Sequence, residues 1–387
     1  MEQNERYVDK LAKYILAAAG AGIICAIFWY FRSVLVYILA AVVVSLIAKP
    51  IMGGLQKIRI KGKKAPDWFL AAFTLALIMT IFITTLTSIV PIVSGIVKGI
   101  SITSIENAAG QIATPLANLN DMLKSTFPKL GNDFRIEMLL IEEIQKLFDI
   151  SAISSMIGSA TSFLTSVGIG LFSVVFIGFF FIKDDGLFTH IVCSLVPDKH
   201  ERNTEKAISD IGHLLSRYFI GVMIEVTGVA LLNFLGLMFI ARLGFNAAIG
   251  IAFLTGILNI IPYVGPLMGG VLGTILSLVL KYSSTVPVGP DVNFWLFTGI
   301  LIAIFAFTQL VDNFLYQPVI YSTSIKSKPL EIFIVLLIAG HIGGPLGMII
   351  AIPCYTVVRV IAFRFFRHIK AIQRLIPSER LITGDQD

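Results

Sequence analysis

The sequence predicts an all-α polytopic membrane protein with about six membrane-spanning helices plus two opposed helical hairpins, eight apolar segments in all. Three observations predict it. Of 387 residues, 56% are hydrophobic and only 14% charged, with a mean hydropathy of +0.87; a soluble domain carries about 25% charged residues. The basic residues behind the formal +6 charge cluster beside apolar runs, which is the positive-inside pattern of membrane proteins. Finally, Leu243 to Leu280 is 38 residues without a charge. As one helix that run would measure about 57 Å, nearly twice the ~30 Å hydrocarbon core of a bilayer, so it must fold back on itself.

Taken in order, Tyr14 to Phe31 and Ser33 to Ala48 are uncharged runs separated by Arg32, and predict a tight helical pair. Lys49, Lys57, Arg59, Lys61, Lys63 and Lys64 follow with no acidic residue among them, which assigns this loop to the cytoplasm. Trp68 to Val97 then crosses outward, with Pro91 as a kink. Ser101 to Ile150 has seven acidic residues against four basic ones, and Leu139, Leu140, Ile144 and Leu147 share a helical face. That pattern predicts a small extracytoplasmic helical insert. Ser151 to Ile182 returns inward, and Asp198 to Lys206 has the mixed charge of a solvated cytoplasmic helix. Tyr218 to Ala241 goes out again, carrying the single acid Glu225.

Charge parity then sorts the hairpins. Entered from outside, the run from Leu243 breaks at Asn259-Ile-Ile-Pro262-Tyr-Val-Gly265-Pro266, where two prolines remove helical donors and Gly265 permits a tight turn. Phe294 to Val311 then runs inward and leaves Lys326 and Lys328 in the cytoplasm. Ile332 to Val358 precedes the basic tail of Arg359, Arg364, Arg367, Lys370 and Arg374, so it must cross an even number of times. It forms the second hairpin, with its tip at Gly340-His341-Ile-Gly343-Gly344-Pro345. Irregular backbone at membrane depth survives only inside protein or beside water, as at the discontinuous helices of secondary transporters.

Several classes are excluded or disfavoured. His-Glu-x-x-His, Gly-x-Ser-x-Gly and Walker-type motifs are absent, so no enzyme, no cofactor and no ATP-driven pump is expected. Cys25, Cys193 and Cys354 are too scattered for a disulfide framework or a metal site. No nucleic-acid partner is expected, because the positive charge belongs to membrane topology. Met1 to Lys13 mixes acids with bases, and no cleavable signal is expected there.

Each candidate residue carries two readings. Asn259 caps the first hairpin arm or presents its amide to a solute. Pro262, Gly265, Pro266, Gly343, Gly344 and Pro345 give shape and expose backbone groups. His341 hydrogen-bonds its own tip or carries a proton. Gln309, Asn313 and Gln317 recur every four residues beside Asp312 and Tyr316, forming a polar stripe that serves as interhelical glue or cavity wall. Glu225 pairs with Arg217, eight residues earlier, or couples transport to protons.

The segments Asn259 to Pro266, Asp312-Asn-Phe-Leu-Tyr-Gln-Pro318, Pro329-Leu330, Gly340 to Gly347 and Ile352-Pro353 resemble, in combination, the signature of the autoinducer-2 exporter family. The resemblance covers nearly the whole chain in order and spacing. It departs at Lys328-Pro329-Leu330-Glu331, where many relatives have His before the Pro-Leu pair. It implies a multi-pass permease of the bacterial inner membrane with cytoplasmic termini, pentameric in known members, in which two hairpins carry out elevator-like transport. Members are linked to autoinducer-2 export, and so to quorum sensing, or to sodium/proton antiport.

Five regions follow. Residues 1–100 hold the first three transmembrane helices with the basic loop 49–66, residues 101–150 the insert, and residues 151–217 the fourth helix and the cytoplasmic helix. Residues 218–363 form the transport core with hairpins 243–280 and 330–358, and residues 364–387 the basic tail. The substrate site is expected at Asn259, Pro262, Gly265, Gln309, Asp312, Asn313, Gly340, Gly343 and Gly344. Ion coupling is expected at Glu225, Asp312 and His341. A channel through an oligomer and a scaffold that binds a partner through the insert are the competing classes.

Overall fold

The computed structural model describes residues 31–57, 65–99, 170–184, 186–283, 288–320 and 329–366, with a few single positions elsewhere. The expected helix 14–31, the insert 101–150, the start of 151–182, Lys326, Lys328 and the tail beyond 366 lie outside the described residues, apart from isolated positions. The described residues are helical, in the order α1 (Arg32–Gln56), α2 (Asp67–Gly99), α3 (Gly170–Lys183), α4 (Leu187–Cys193), α5 (Asp198–Ile240), α6 (Phe245–Leu258), α7 (Val264–Ser283), α8 (Phe294–Ile320) and α9 (Pro329–Phe365).

The chain divides into two compact units. One comprises residues 1–75 and 164–190. Here α3 approaches α1 closely: Gly170 sits against the Tyr37 ring and Gly178 against the Ala41 carbonyl. Ala41, Leu46, Ala48, Ala71, Leu75 and Ile182 are buried, whereas Phe172 and Phe176 stack on each other on the outer surface. Exposed aromatic stacks of this kind suit a lipid-facing helix, where no water must be displaced.

The other unit holds α5 to α9. The solvated segment at Asp198 and the span beginning at Tyr218, separate elements in the sequence reading, form one 43-residue helix, α5. Nothing between them breaks a helix. Its last turn, Gly236–Ile240, is a π-turn. Three glycines on one side of α5 receive α8, which runs antiparallel: Gly236 faces Ile304, Gly228 the Tyr316 hydroxyl, and Gly221 Ile320. Small residues are how apolar helices come close in a membrane, since hydrophobic burial gives no drive there.

The first hairpin forms as expected. α6 and α7 pack together through Gly269 and Gly273 against Thr255. At the tip, Tyr263 takes a left-handed conformation (φ 64°), unusual for a side chain of that size. Gly265 lies so close to the Leu258 carbonyl that no Cβ fits. The second hairpin is α9, broken at Gly344 (φ 58°, ψ −146°) ahead of Pro345. Its arms run side by side: Gly347 meets the Ala339 carbonyl, and the Tyr355 hydroxyl donates to Glu331 Oε2 at 2.9 Å.

Six described helices are long and apolar enough to cross a membrane: Arg32–Gln56, Asp67–Thr85, Asp198–Ile240, Val264–Tyr282, Phe294–Ile320 and Gly347–Phe365. They agree with the expected all-α polytopic fold, although two of the expected spans, 14–31 and 151–182, lie largely outside the described residues. The returning arm of each hairpin is itself of spanning length, while Phe245–Leu258 and Leu330–Pro345 are short. Each hairpin is therefore asymmetric, one short arm and one long.

Two apolar clusters hold this unit. Leu237, Ile251, Leu276, Phe297, Leu301 and Ile304 join α5 to α8 around the first hairpin. Tyr218, Ile320, Ile332, Leu336, Ala351 and Ile352 join α5 and the end of α8 to both arms of the second. Arg364 Nε and Nη2 clasp Asp210 Oδ2 at 2.8 and 2.5 Å, tying the end of α9 to the polar part of α5.

Candidate functional site

The polar residues of α5 and α8 meet at the first hairpin. Val229, Asn233, Thr255, Asn259, Tyr263, Pro266, Thr274, Phe305, Thr308, Gln309 and Asn313 are among the residues lining a cavity of about 660 Å³. None of its lining side chains is charged. A mostly apolar wall with a few convergent polar groups is the usual character of a small-molecule site, and the volume lies within the common range of roughly 300–1,000 Å³.

Asn259 ends α6: its backbone amide donates to the carbonyls of Thr255 and Gly256, so the capping reading describes its main chain. Its side chain does something else, donating from Nδ2 to Glu225 Oε1 at 3.2 Å while the residue is 3% exposed. Glu225 on α5 and Asp312 on α8 are both buried, at 7% and 0% exposure. Asp312 is fully buried; Oδ2 accepts from Gln317 Nε2 at 2.8 Å and more weakly from Gln309 Nε2 at 3.4 Å, while Oδ1 has no donor. Arg217 is exposed, and among the described residues no ion pair joins it to Glu225. Both carboxyls are thus buried on neighbouring helices, α5 and α8, and accept from the amides of Asn259, Gln309 and Gln317.

The expected stripe at Gln309, Asn313 and Gln317 is split. A π-turn at Asp312–Tyr316 inserts one extra residue, so Gln317 rotates inward and reaches Asp312 five positions back. Gln309 and Asn313 stay together at the cavity, with Gln309 Nε2 donating to Asn313 Oδ1 at 2.9 Å. π-turns of this kind recur at functional sites because they re-aim side chains without breaking the helix.

The remaining expected residues are placed as follows. Pro262 and Gly265 are buried in the first tip, and Pro266 lines the cavity. Asp312 stands behind the wall, connected to it through Gln309. Gly340, His341, Gly343 and Gly344 form the second tip, where His341 and Gly343 are exposed, and none of the four lines the cavity. The first tip meets the second hairpin at its base: the Tyr263 ring lies 6.1 Å from that of Phe333.

Asn233, Thr255 and Thr308 were missing from the sequence reading. Asn233 Nδ2 donates to Thr255 Oγ1 at 2.9 Å, and all three residues are buried. A signal was available, since Asn233 lies two helical turns beyond Glu225 and Thr308 one turn before Asp312.

An all-helical unit with two broken hairpins, the first of them lining an uncharged cavity, fits a polytopic membrane transport protein. The chain belongs to the AI-2E family of transporters, whose family model matches residues 20–366. It is similar to two presumptive transport proteins of Bacillus subtilis (strain 168). YueF is 30% identical over 62% of this chain and 60% of its own length, and YrrI is 24% identical over 50% of this chain and 51% of its own. The chain thus matches between half and two thirds of each relative's length.

Proposed function

We propose that this chain carries a small polar solute across the bacterial inner membrane, with autoinducer-2 as the first cargo to test, by an elevator-like displacement of its hairpins within a homo-oligomer. The supporting observation is the cavity, which brings the amides of Asn259, Gln309 and Asn313 against the tip of a broken helical hairpin. Solute bound there rides with α6 and α7, whose tip is closed on itself at Gly265 and can move as one piece.

The carboxyl pair supplies the coupling. Buried carboxyls in an apolar interior are costly unless paired, which makes Glu225 and Asp312 the candidates for ion coupling. Asn259 and Gln309 touch both the cavity and the pair, so a solute that takes up their amides changes how the carboxyls are held. His341, at the exposed second tip, does not line the cavity.

The test is counterflow of autoinducer-2 in proteoliposomes. Asn313→Ala is expected to cut exchange at least about tenfold, the scale of losing one buried hydrogen bond, with oligomer and expression intact. Exchange at the wild-type rate would move the site elsewhere. Orientation is tested separately by labelling single cysteines at Ser283 and Ser322 from each side. The opposed-hairpin arrangement requires opposite faces, with both termini cytoplasmic.

A further inference from the structure

We infer that Asn233 and Thr308 form a second polar subsite in the cavity, built to take a hydroxyl group of an uncharged solute. The inference rests on the transport reading and adds the chemical class of the cargo.

Buried polar atoms normally have partners, and exceptions mark a place left for something else. Asn233 Oδ1 and Thr308 Oγ1 are two such exceptions, in residues 3% and 4% exposed, and both residues line the cavity. They lie at about the same level of the helix pair. Gly236 of α5 sits against Ile304 of α8, and Asn233 and Thr308 lie about one turn from that contact in the same direction.

Thr308 is unlike its neighbours. Thr274, Ser277 and Thr298 each donate their hydroxyl to the carbonyl four residues back, and Thr255 to the one three back, whereas the Thr308 hydroxyl bonds to nothing. Asn233 is held in place, because its Nδ2 is committed to Thr255 Oγ1 and its Oδ1 is left free.

The chemistry of the two atoms selects the ligand group. An amide oxygen accepts only, whereas a threonine hydroxyl donates or accepts. A hydroxyl group that donates to Asn233 Oδ1 and accepts from Thr308 completes both. A carboxylate or phosphate oxygen would face the Asn233 oxygen with no proton to offer. A bare metal cation is disfavoured by size and charge: the cavity is far larger than one ion's shell, and none of its lining residues is charged. Val229, Ile275, Phe305 and Ala306 supply the apolar wall for the carbon skeleton.

The probe set is radiolabelled ribose, its anionic relative ribonate, and sodium-22, each offered to the full chain in proteoliposomes. Ribose should exchange and ribonate should not. Thr308→Val is nearly isosteric and removes a hydroxyl that has no bond to lose within the protein, so folding is retained. It should raise the KM for ribose about tenfold, and Thr308→Ser should restore it. Asn233→Leu should act in the same direction.

Wild-type KM in both Thr308→Val and Asn233→Leu, with Asn313→Ala still defective, would overturn the subsite and leave the cavity reading standing. Preference for ribonate, or sodium-22 binding lost in Thr308→Val, would overturn the hydroxyl assignment. Failure of ribose where autoinducer-2 is carried would overturn the solute class alone, and failure of both would bring down the transport reading itself.

Discussion

The two hairpins share a plan and differ in setting. Both break at glycine and proline, and both pair a short arm with a long one. The first tip is packed shut: Ile261, Pro262 and Gly265 are buried, Asn259 reaches Glu225, and the wall of the cavity begins there. The second tip presents His341, Ile342 and Gly343 outward, and a Cβ added at Gly343 or Gly344 would touch nothing within 4 Å. A broken helix by itself therefore does not make a site. The site arises where the break meets polar residues from neighbouring helices, and the described cavity has these from α5 and α8 beside the first hairpin.

Substitution of the tip glycines tests the difference most severely. Gly265→Ala places a methyl group into the Leu258 carbonyl, where backbone cannot yield. Loss of about 3 kcal/mol or more is expected, seen as collapse of folded yield in detergent. Gly343→Ala should leave yield and melting temperature near wild type. Equal damage at both would show that the second tip is packed as tightly as the first.

The carboxyl pair gives the next largest effect. Glu225 and Asp312 are buried carboxyls on α5 and α8, where charge is costly unless paired, so removing one is expected to change the pH dependence of transport. Glu225→Gln keeps an oxygen to accept from Asn259 while removing one charge, so it should flatten the pH profile and spare solute binding. A profile as steep as the wild type's would remove Glu225 from coupling. Gln317→Leu takes from Asp312 its shorter hydrogen bond, at a cost of about 2 kcal/mol measured by thermal unfolding in detergent. An unchanged melting temperature would show that the π-turn, and not this bond, sets the position of Asp312.

The smallest effect is expected at His341. His341→Ala should leave both the rate and the pH profile of transport unchanged, because the cavity is lined by α5, the first hairpin and α8. A flattened profile would restore histidine as a coupling group and make the two hairpins more alike than their packing indicates.

Much of this fold was legible in the sequence because its signals are local. Uncharged runs too long for one crossing, the paired Pro and Gly of each tip, and the placement of Lys and Arg all report on the chain near themselves. Asn259 and Asn313 were legible for the same reason, as polar residues within apolar runs. What was not legible depends on register. A π-turn carries no composition of its own, so the Gln309, Asn313 and Gln317 stripe looked continuous, although one extra residue sends Gln317 to Asp312. That Glu225 and Asp312, 87 positions apart, sit on neighbouring helices follows from three glycines on α5 that set where α8 lies. Arg217 looked like a partner because helical spacing shows which residues share a face and not which way that face turns.

Protection of single cysteines by solute tests the central claim, that cargo binds beside the first hairpin and not at the tip of the second, most directly. With Cys25, Cys193 and Cys354 replaced, Asn313→Cys and Gly343→Cys would each be alkylated in proteoliposomes with and without a transported solute. The account predicts that solute slows alkylation at position 313 severalfold and leaves position 343 unaffected. Protection at 343 with none at 313 would contradict it and place the cargo at the other hairpin.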